Sequence, residues 1–96
     1  MEAKGQVLDA RTDFYVYLHR RKTDGSVFYI GKGRGLRAQS RSGRNLQWKR
    51  VVSECDFEWE ILKGELGEVA ALDLEEEIIR KYGIDNLCNM VPSGKT

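Results

Sequence analysis

The stretch from Phe14 to Gly31, FYVYLHRRKTDGSVFYIG, decides the fold of this chain. Its two ends, residues 14–21 and 26–31, are rich in β-branched and aromatic side chains that alternate between two faces. A Thr-Asp-Gly turn at residues 23–25 lies between them. Alternation of this kind around a glycine-containing turn is typical of a β-hairpin. The sequence therefore predicts two antiparallel strands.

A glycine-rich segment and a helix follow the hairpin. Glycines alternate with Lys32 and Arg34 over residues 31–35 and break the strand period, so residues 37–42 are predicted to form a short helical turn. Asn45 is a suitable N-cap for a helix over residues 45–53. The glycine-rich segment lacks the spacing of P-loop and dinucleotide-binding motifs, so we interpret it as turn geometry that carries basic side chains.

A third strand and a second helix complete the pattern. Residues 57–62, FEWEIL, alternate apolar and acidic groups, which predicts a strand with Phe57, Trp59 and Ile61 toward the core. Residues 67–82 place apolar side chains at helical spacing, and a glycine follows as C-cap. The predicted fold class is therefore α/β, in the form of an α+β sandwich with a mostly antiparallel three-stranded sheet flanked by helices. The tail at 87–91 is expected to form a short strand or coil.

Length and composition limit the class of protein. The 96 residues, 41% hydrophobic, fit a single domain over 1–96, with an ordered part expected at about 14–92 and flexible ends at 1–13 and 93–96. Cys55 and Cys88 lack the spacing of a disulfide framework or zinc site, and we interpret both as buried small hydrophobic residues in a reducing compartment. No apolar run resembles a membrane span or signal peptide, so the protein is expected to be intracellular, either cytoplasmic or nucleoid-associated.

The charges are divided along the chain. Residues 14–50 carry ten Lys or Arg and one acid, whereas residues 51–79 carry ten Asp or Glu and one base. Two interpretations are open: the halves neutralise each other across the fold, or the seven bases within 32–50 form a surface for a phosphate backbone. We favour the second interpretation, because the stretch 32–50 contains no acid.

Five short motifs follow one another in an order that a known family shows. They are Tyr15-Val16-Tyr17, Tyr29-Ile30-Gly31, Arg37-Ala38, Ala71-x-x-x-Glu75 before Ile78-Ile79, and Leu87-x-Asn89. Together these motifs resemble the GIY-YIG nuclease superfamily over residues 14–94, although Tyr15 stands where the family name has Gly. The resemblance implies a small stand-alone GIY-YIG domain and a DNA endonuclease that hydrolyses phosphodiester bonds with Mg²⁺, for which Mn²⁺ is a possible substitute.

The resemblance also implies a role for each motif residue. Tyr17 and Tyr29 would converge beside the scissile phosphate, Arg37 would contact that phosphate, and Glu75 would be the only protein ligand to the metal. We assign Tyr17 as the general base and Tyr29 as the residue that orients water or phosphate, and the two roles could be exchanged. The supporting residues of the site are Gly31 and Asn89.

The implied chemistry is physically adequate. Mg²⁺ keeps several waters and takes only one or two carboxylates, so a site with a single Glu can hold it. A tyrosine has an ordinary pKa of about 10, so holding it as phenolate at pH 7 costs about 4 kcal/mol. A cation must lower that pKa, and Lys32 and Arg37 are the nearest candidates in sequence. Glu75 is preferred over its neighbouring glutamates because it shares a helix face with Ala71 and Ile79.

Other polar residues have less specific interpretations. His19 shares a strand face with Tyr17 and is a candidate phosphate donor or alternative base, or else satisfies a local hydrogen bond. Trp48 is interpreted as a core residue rather than a platform for a base. A set of basic and polar side chains is expected to contact the phosphates of duplex DNA. This set is Lys32, Arg34, Arg41, Arg44, Asn45, Lys49 and Arg50.

Two other functions stay open at the level of sequence. One is a non-catalytic nucleic-acid-binding or regulatory module on the same fold, and the other is a nuclease restricted to branched or damaged DNA. DNA is the expected partner, and a membrane is not. The 96 residues leave no room for a separate recognition domain. Specificity for a DNA sequence or structure is therefore expected to come from a homodimer or from a separate specificity partner, or else to be low.

Overall fold

The computed structural model of the chain describes residues 12–89. Residues 1–11 and 90–96, which include most of the ends expected to be flexible, lie outside this range. The described part of the chain has three strands, two α-helices and two 3-10 turns. They are β1 (Phe14–Arg21), β2 (Val27–Gly33), a first 3-10 turn (Arg37–Gln39), α1 (Leu46–Cys55), β3 (Phe57–Leu66), α2 (Glu68–Tyr82) and a second 3-10 turn (Ile84–Asn86).

The three strands form one sheet in the order β2-β1-β3, and both pairings are antiparallel. This arrangement confirms the α+β fold class predicted from the sequence. The predicted hairpin joins β1 to β2 through a turn in which Asp24 Oδ1 accepts from the Ser26 N–H and Gly25 has a φ of 76°, a value that favours glycine. Within residues 12–89, no helix is both long and apolar enough to cross a membrane.

Each face of the sheet has its own core. Even-numbered residues of β1 face α2, where Val16 and Leu18 pack with Ile30, Ala71 and Leu87. This packing explains the helical period of α2, because its apolar side meets the sheet. Helix α2 ends as predicted at Gly83, whose φ of 88° is again a glycine conformation.

The other face carries Tyr15, Tyr17 and His19 of β1 and Tyr29 of β2, and we call it the tyrosine face. The first 3-10 turn and α1 lie over it. Trp48 of α1 is buried there in a cluster whose other buried members are Phe28, Phe57 and Cys88, which confirms Trp48 as a core residue.

Several predicted boundaries and environments differ from the structure. The helical turn covers residues 37–39 rather than 37–42, and α1 continues beyond the predicted end to Cys55. Asn45 caps α1 as predicted, since its side-chain oxygen accepts from the Trp48 N–H. Cys88 is buried, whereas Cys55 is only half-buried. The tail forms a 3-10 turn and then coil up to Asn89.

The orientation predicted for β3 is wrong at two of its three apolar positions. The strand extends over residues 57–66, and Phe57 is buried, but Trp59 and Ile61 are 46% and 38% exposed. The alternation of faces is as expected, because Trp59 pairs with His19 and Ile61 pairs with Tyr17. The reason is that β3 is an edge strand, and the apolar cluster under α1 reaches Phe57 without including these two residues.

Candidate active site

Tyr17 lies at the centre of the tyrosine face and is 1% exposed. Its cross-strand partner is Gly31. A Cβ atom at Gly31 would overlap the ring of Tyr17, so glycine at this position is what leaves room for that ring. A Cβ at Gly33 would clash with the Arg37 side chain, 2.6 Å from its Cβ and Cγ, and would lie 3.5 Å from Tyr17 Cε2. Tyr17 and Arg37 therefore lie side by side over the Gly31–Gly33 segment.

Arg44 is the cation that reaches Tyr17. Its Nη1 donates to the Tyr17 hydroxyl at 2.6 Å, its Nη2 donates to the Arg37 carbonyl at 2.6 Å, and its Nε donates to the Ser40 carbonyl at 3.0 Å. The side chain is 6% exposed overall, and its guanidinium lies within 5.5 Å of the ring centroids of Tyr17 and Tyr29. The expectation that Arg44 contacts duplex phosphates is therefore wrong, because this guanidinium is buried and engaged.

The pKa of Tyr17 moves in the direction opposite to that needed for a phenolate base. Burial raises its pKa, and this effect outweighs the hydrogen bond and charge of Arg44 and the smaller effect of Arg37. Lys32, the other cation expected to act, instead pairs through Nζ with Glu68 Oε2 at 3.3 Å. Tyr17 therefore keeps its proton at neutral pH, and Arg44 occupies its acceptor side.

Tyr29 is the more accessible of the two tyrosines. Its residue is half-buried, and its ring centroid lies 6.2 Å from that of Tyr17 and 5.5 Å from that of His19. Within residues 12–89, no hydrogen bond of the Tyr29 hydroxyl is found, in contrast to the hydroxyl of Tyr17. Of the two tyrosine hydroxyls, that of Tyr29 is therefore the one open to a ligand.

His19 serves a local structural purpose. It is fully buried, its Nδ1 accepts from the Trp48 indole N–H at 2.9 Å, and its Nε2 lies 2.6 Å from the Ala38 carbonyl oxygen. Because an indole nitrogen can only donate, Nε2 must carry the ring proton and donate to Ala38. Burial, with the charges of Arg44 and Arg37, lowers the pKa of His19 to about 4. Of the three interpretations, the structure supports the local hydrogen bond over a base or a phosphate donor.

The outer edge of β2 is covered by the tail and by α2. The Phe28 carbonyl accepts from the Cys88 N–H at 2.7 Å. The Asn89 side chain bonds both backbone groups of Ile30, accepting from its N–H at 3.0 Å and donating to its carbonyl at 2.6 Å. Asn89 thus supports this edge in place of a further strand.

Glu75 lies next along the same edge. Burial raises the pKa of its carboxyl, while the charge of Lys32 and the Lys32 backbone N–H oppose that rise. Ala71 on the same helix face is fully buried, and Ile79 packs against the core, so the predicted inward face of α2 is the observed one. Glu75 is therefore placed beside Lys32, the residue between Gly31 and Gly33.

A carboxylate in this position suits a cation with few protein ligands. Across residues 12–89, no group of three or more His, Cys, Asp or Glu side chains comes together. A dense carboxylate cage is therefore not formed by this part of the chain. A single half-buried carboxylate with a raised pKa gains from a nearby cation, and Mg²⁺ accepts such a site when waters and phosphate complete its coordination.

Searches of protein-family models, of curated proteins and of solved structures gave no match to this chain. Function is therefore inferred from the residues and their geometry.

The remaining basic residues are divided between ion pairs and open surface. Arg34 pairs with Asp13 at 3.5 Å, and Arg41 pairs with Asp56 at 2.9 Å, all four with largely exposed side chains. Exposed pairs of this kind contribute little to stability and can exchange one anion for another. The neutralisation interpretation of the charges therefore holds for part of the basic stretch.

Helix α1 carries two exposed basic residues. Lys49 and Arg50 are exposed, and no ion pair of either is found within residues 12–89. Asn45, by contrast, has both ends of its amide engaged, because its Nδ2 donates to the Cys88 carbonyl at 2.8 Å while its oxygen caps α1. Asn45 is thus a structural residue, and its predicted contact with DNA is not supported.

Two contacts have no signal in the sequence. The Tyr15 hydroxyl donates to the Gly35 carbonyl at 2.7 Å and accepts from the Ala38 N–H at 2.9 Å, so it anchors the loop that holds the first 3-10 turn. The contact of Arg44 with Tyr17 spans 27 residues. Nothing local distinguishes Arg44 from the exposed Arg41, since only the fold brings one of them under the sheet.

Proposed function

We propose that this chain is a Mg²⁺-dependent DNA endonuclease of the GIY-YIG type. The observation that carries the proposal is the meeting of chemically distinct groups around the Gly31–Gly33 segment. The Tyr17 ring covers Gly31, the Arg37 side chain lies against Gly33, and Glu75 is beside the residue between them. A hydroxyl, a guanidinium and a carboxylate around one short segment are the groups that phosphodiester hydrolysis uses.

Glu75 is the residue that would hold the metal ion. Its half-buried carboxylate at the edge of β2 fits an ion that takes one protein oxygen and otherwise water and phosphate. A bound Mg²⁺ supplies positive charge that stabilises the phosphate and the leaving oxygen during displacement. Lys32 contributes charge beside the same carboxylate, although its Nζ is paired with Glu68.

The tyrosines divide the work according to their environments. Tyr29, in its phenolate form, accepts a proton from the attacking water, because it is the more accessible of the two side chains. The guanidinium of Arg44, 5.4 Å from the Tyr29 ring centroid, stabilises that negative charge. Tyr17 stays protonated, and Arg44 fixes the direction of its hydroxyl. Arg37 meets the scissile phosphate by exchanging its present bonds to the Ser42 and Gly43 carbonyls, which are 2.9 and 3.3 Å long. The water oxygen then bonds to phosphorus as the bond to the leaving oxygen breaks, and the leaving oxygen takes up a proton from solvent.

The test measures how fast a supercoiled plasmid is relaxed in the presence of Mg²⁺ or Mn²⁺. A reaction with a chelator in place of the metal is the blank. The intact protein is expected to nick the plasmid only with metal, and Glu75→Gln is expected to lose at least about a hundredfold in rate. Glu77→Gln is the matched control, because it removes the same charge from an exposed position of the same helix. Equal rates for Glu75→Gln and Glu77→Gln would remove Glu75 as the metal ligand.

The same reaction distinguishes the nuclease from the alternative function, a non-catalytic nucleic-acid-binding module. The plasmid is tested first and a branched junction second. If the intact protein binds both DNAs but cuts neither of them with either metal, the binding module is supported. Cleavage of the junction alone would support a nuclease restricted to branched DNA.

A further inference from the structure

Trp59 and Ile61 form an exposed apolar strip on the tyrosine face, and we call this pair the β3 strip. Trp59 is 46% exposed and is the cross-strand partner of His19, while Ile61 is 38% exposed and is the partner of Tyr17. The strip therefore begins one strand away from the central tyrosine of the proposed site. Strands of a sheet lie about 4.8 Å apart, so a nucleotide adjacent to the scissile phosphate can reach it.

The charges beside the β3 strip favour an anionic occupant. On the tyrosine face, Arg41 lies with its guanidinium 4.9 Å from the Phe57 ring centroid, and its side chain is 60% exposed. Glu58 and Glu60, the acids next to Trp59 in β3, lie on the opposite face, where Glu60 pairs with Arg20 at 3.1 Å. The acid nearest to Arg41 is Asp56, which is already paired with it at 2.9 Å. An apolar strip with an exposed arginine near one end suits a ligand that is both aromatic and anionic, and a nucleotide has both properties.

The two tryptophans of the chain differ in what they can do. Trp48 is buried and its indole N–H is bonded to His19, so it offers no face to a ligand. Trp59 presents nearly half of its surface on an edge strand, and its ring forms no aromatic pair within residues 12–89. An exposed indole beside a basic surface is the arrangement on which unpaired bases stack, whereas the paired bases of an intact duplex have no free face to offer.

We infer that Trp59 is a stacking platform for an unpaired base, so that the preferred substrate is DNA with unpaired nucleotides next to the cleaved bond. This inference rests on the proposed nuclease site for the position of the scissile phosphate. The binding step can be tested without cleavage.

The binding test uses intrinsic fluorescence in the presence of a chelator, with a short single-stranded oligothymidylate and a duplex of equal length as probes. With selective excitation of tryptophan, the oligothymidylate is expected to quench the intact protein. Trp59→Phe retains only the buried Trp48 as a tryptophan and is expected to show little quenching. Trp59→Leu is expected to bind the single strand about 5- to 150-fold more weakly, the range that one stacked base accounts for. Duplex affinity should stay unchanged.

The matched control is Val69→Ala, which trims an apolar residue that is 72% exposed on α2. It should leave both affinities as they are, and thermal unfolding of each variant checks that the fold is retained. Equal single-strand affinity of Trp59→Leu and the intact protein would overturn the inference. So would protection of Trp59 from iodide in the free protein, which would show that another part of the chain covers it. Loss of a dimer in Trp59→Leu would show that a second copy occupies the strip.

Cleavage separates this inference from the proposed function. Binding of single strands through Trp59 without metal-dependent cleavage would overturn the nuclease and leave the platform standing. Cleavage that is unaffected by Trp59→Leu on a junction substrate would overturn the platform and leave the nuclease.

Discussion

The Nη1 of Arg44 donates to the hydroxyl of Tyr17 at 2.6 Å, and this bond ties the centre of the sheet to the loop before α1. The same guanidinium also holds the carbonyls of Arg37 and Ser40. One buried side chain therefore fixes both the direction of the Tyr17 hydroxyl and the backbone that carries Arg37. Two residues with proposed roles on the phosphate side of the site depend on it.

Replacing Arg44 by Met should destabilise the protein. The change leaves a tyrosine hydroxyl and two carbonyls without their buried donor, which corresponds to a loss of about 2–4 kcal/mol in the free energy of unfolding. Arg44→Lys keeps the charge but not the planar fork, so it should restore only part of that loss. Urea unfolding measures both values. Arg50→Met, at an exposed position, is the control and should stay within about 0.5 kcal/mol of the intact protein.

Urea unfolding of Arg44→Met also distinguishes two roles for Arg44, a buried structural residue and a residue that contacts DNA. If Arg44→Met unfolded at the same urea concentration as the intact protein and lost only affinity for DNA, Arg44 would be a phosphate-binding residue after all.

Tyr29→Phe should lower the cleavage rate alone, whereas Tyr17→Phe should lower both the cleavage rate and the thermal stability. Tyr29→Phe removes the proposed base, so single-turnover cleavage should fall by about 10²–10⁴-fold while stability stays nearly constant. Tyr17→Phe leaves an N–H of the buried Arg44 without its acceptor, so it should lower thermal stability as well as rate. Cleavage rates and thermal unfolding of the two variants provide the comparison. Normal cleavage by Tyr29→Phe would return the base assignment to Tyr17.

The stability of the protein should depend on pH through His19. Its folded pKa of about 4 lies below its ordinary value of 6.5. Between these values the unfolded imidazole binds a proton and the folded one does not, so the free energy of unfolding falls as the pH is lowered. The loss from this group is on the order of 3 kcal/mol by pH 4, with none above pH 6.5.

The contribution of His19 is isolated by comparison with His19→Gln, which has an amide donor and acceptor but no titration in this range. The raised pKa of Glu75 acts in the opposite direction in the acid range and is common to both proteins. The difference in unfolding free energy between them should therefore shrink from pH 7 to pH 4. A difference independent of pH would mean that the folded His19 is protonated as easily as the unfolded one.

DNA binding should weaken with salt, and the residues responsible should be those of α1. Lys49→Ala and Arg50→Ala should each reduce the slope of log affinity against log salt by about one, because each removes a cation that is free to neutralise a phosphate. Fluorescence anisotropy with labelled DNA in a chelator gives the slope. Arg80→Ala, at an exposed position on α2, should leave it unchanged, and equal effects of all three substitutions would remove α1 as the docking surface.

The sequence predicts the elements better than their surroundings. The hairpin, the cap at Asn45 and the helix ending at Gly83 all follow from local rules, and the structure has them where the pattern indicated. For β3 the alternation is correct, but Trp59 and Ile61 face an open surface. A period of two tells which residues share a face, whereas only the neighbouring elements decide whether that face is covered.

The candidate site divides in the same way. The sequence by itself determined which residue types are present, that Tyr17 and Tyr29 lie on the two strands of one hairpin, and that Glu75 lies on the inward side of α2. Strand and helix periods, from which these predictions follow, are local properties of the chain. The tertiary structure alone decided that Arg44 rather than Lys32 meets Tyr17, and that burial raises the pKa of this tyrosine. Contacts over tens of residues and the loss of solvent around a group arise only when the layers pack.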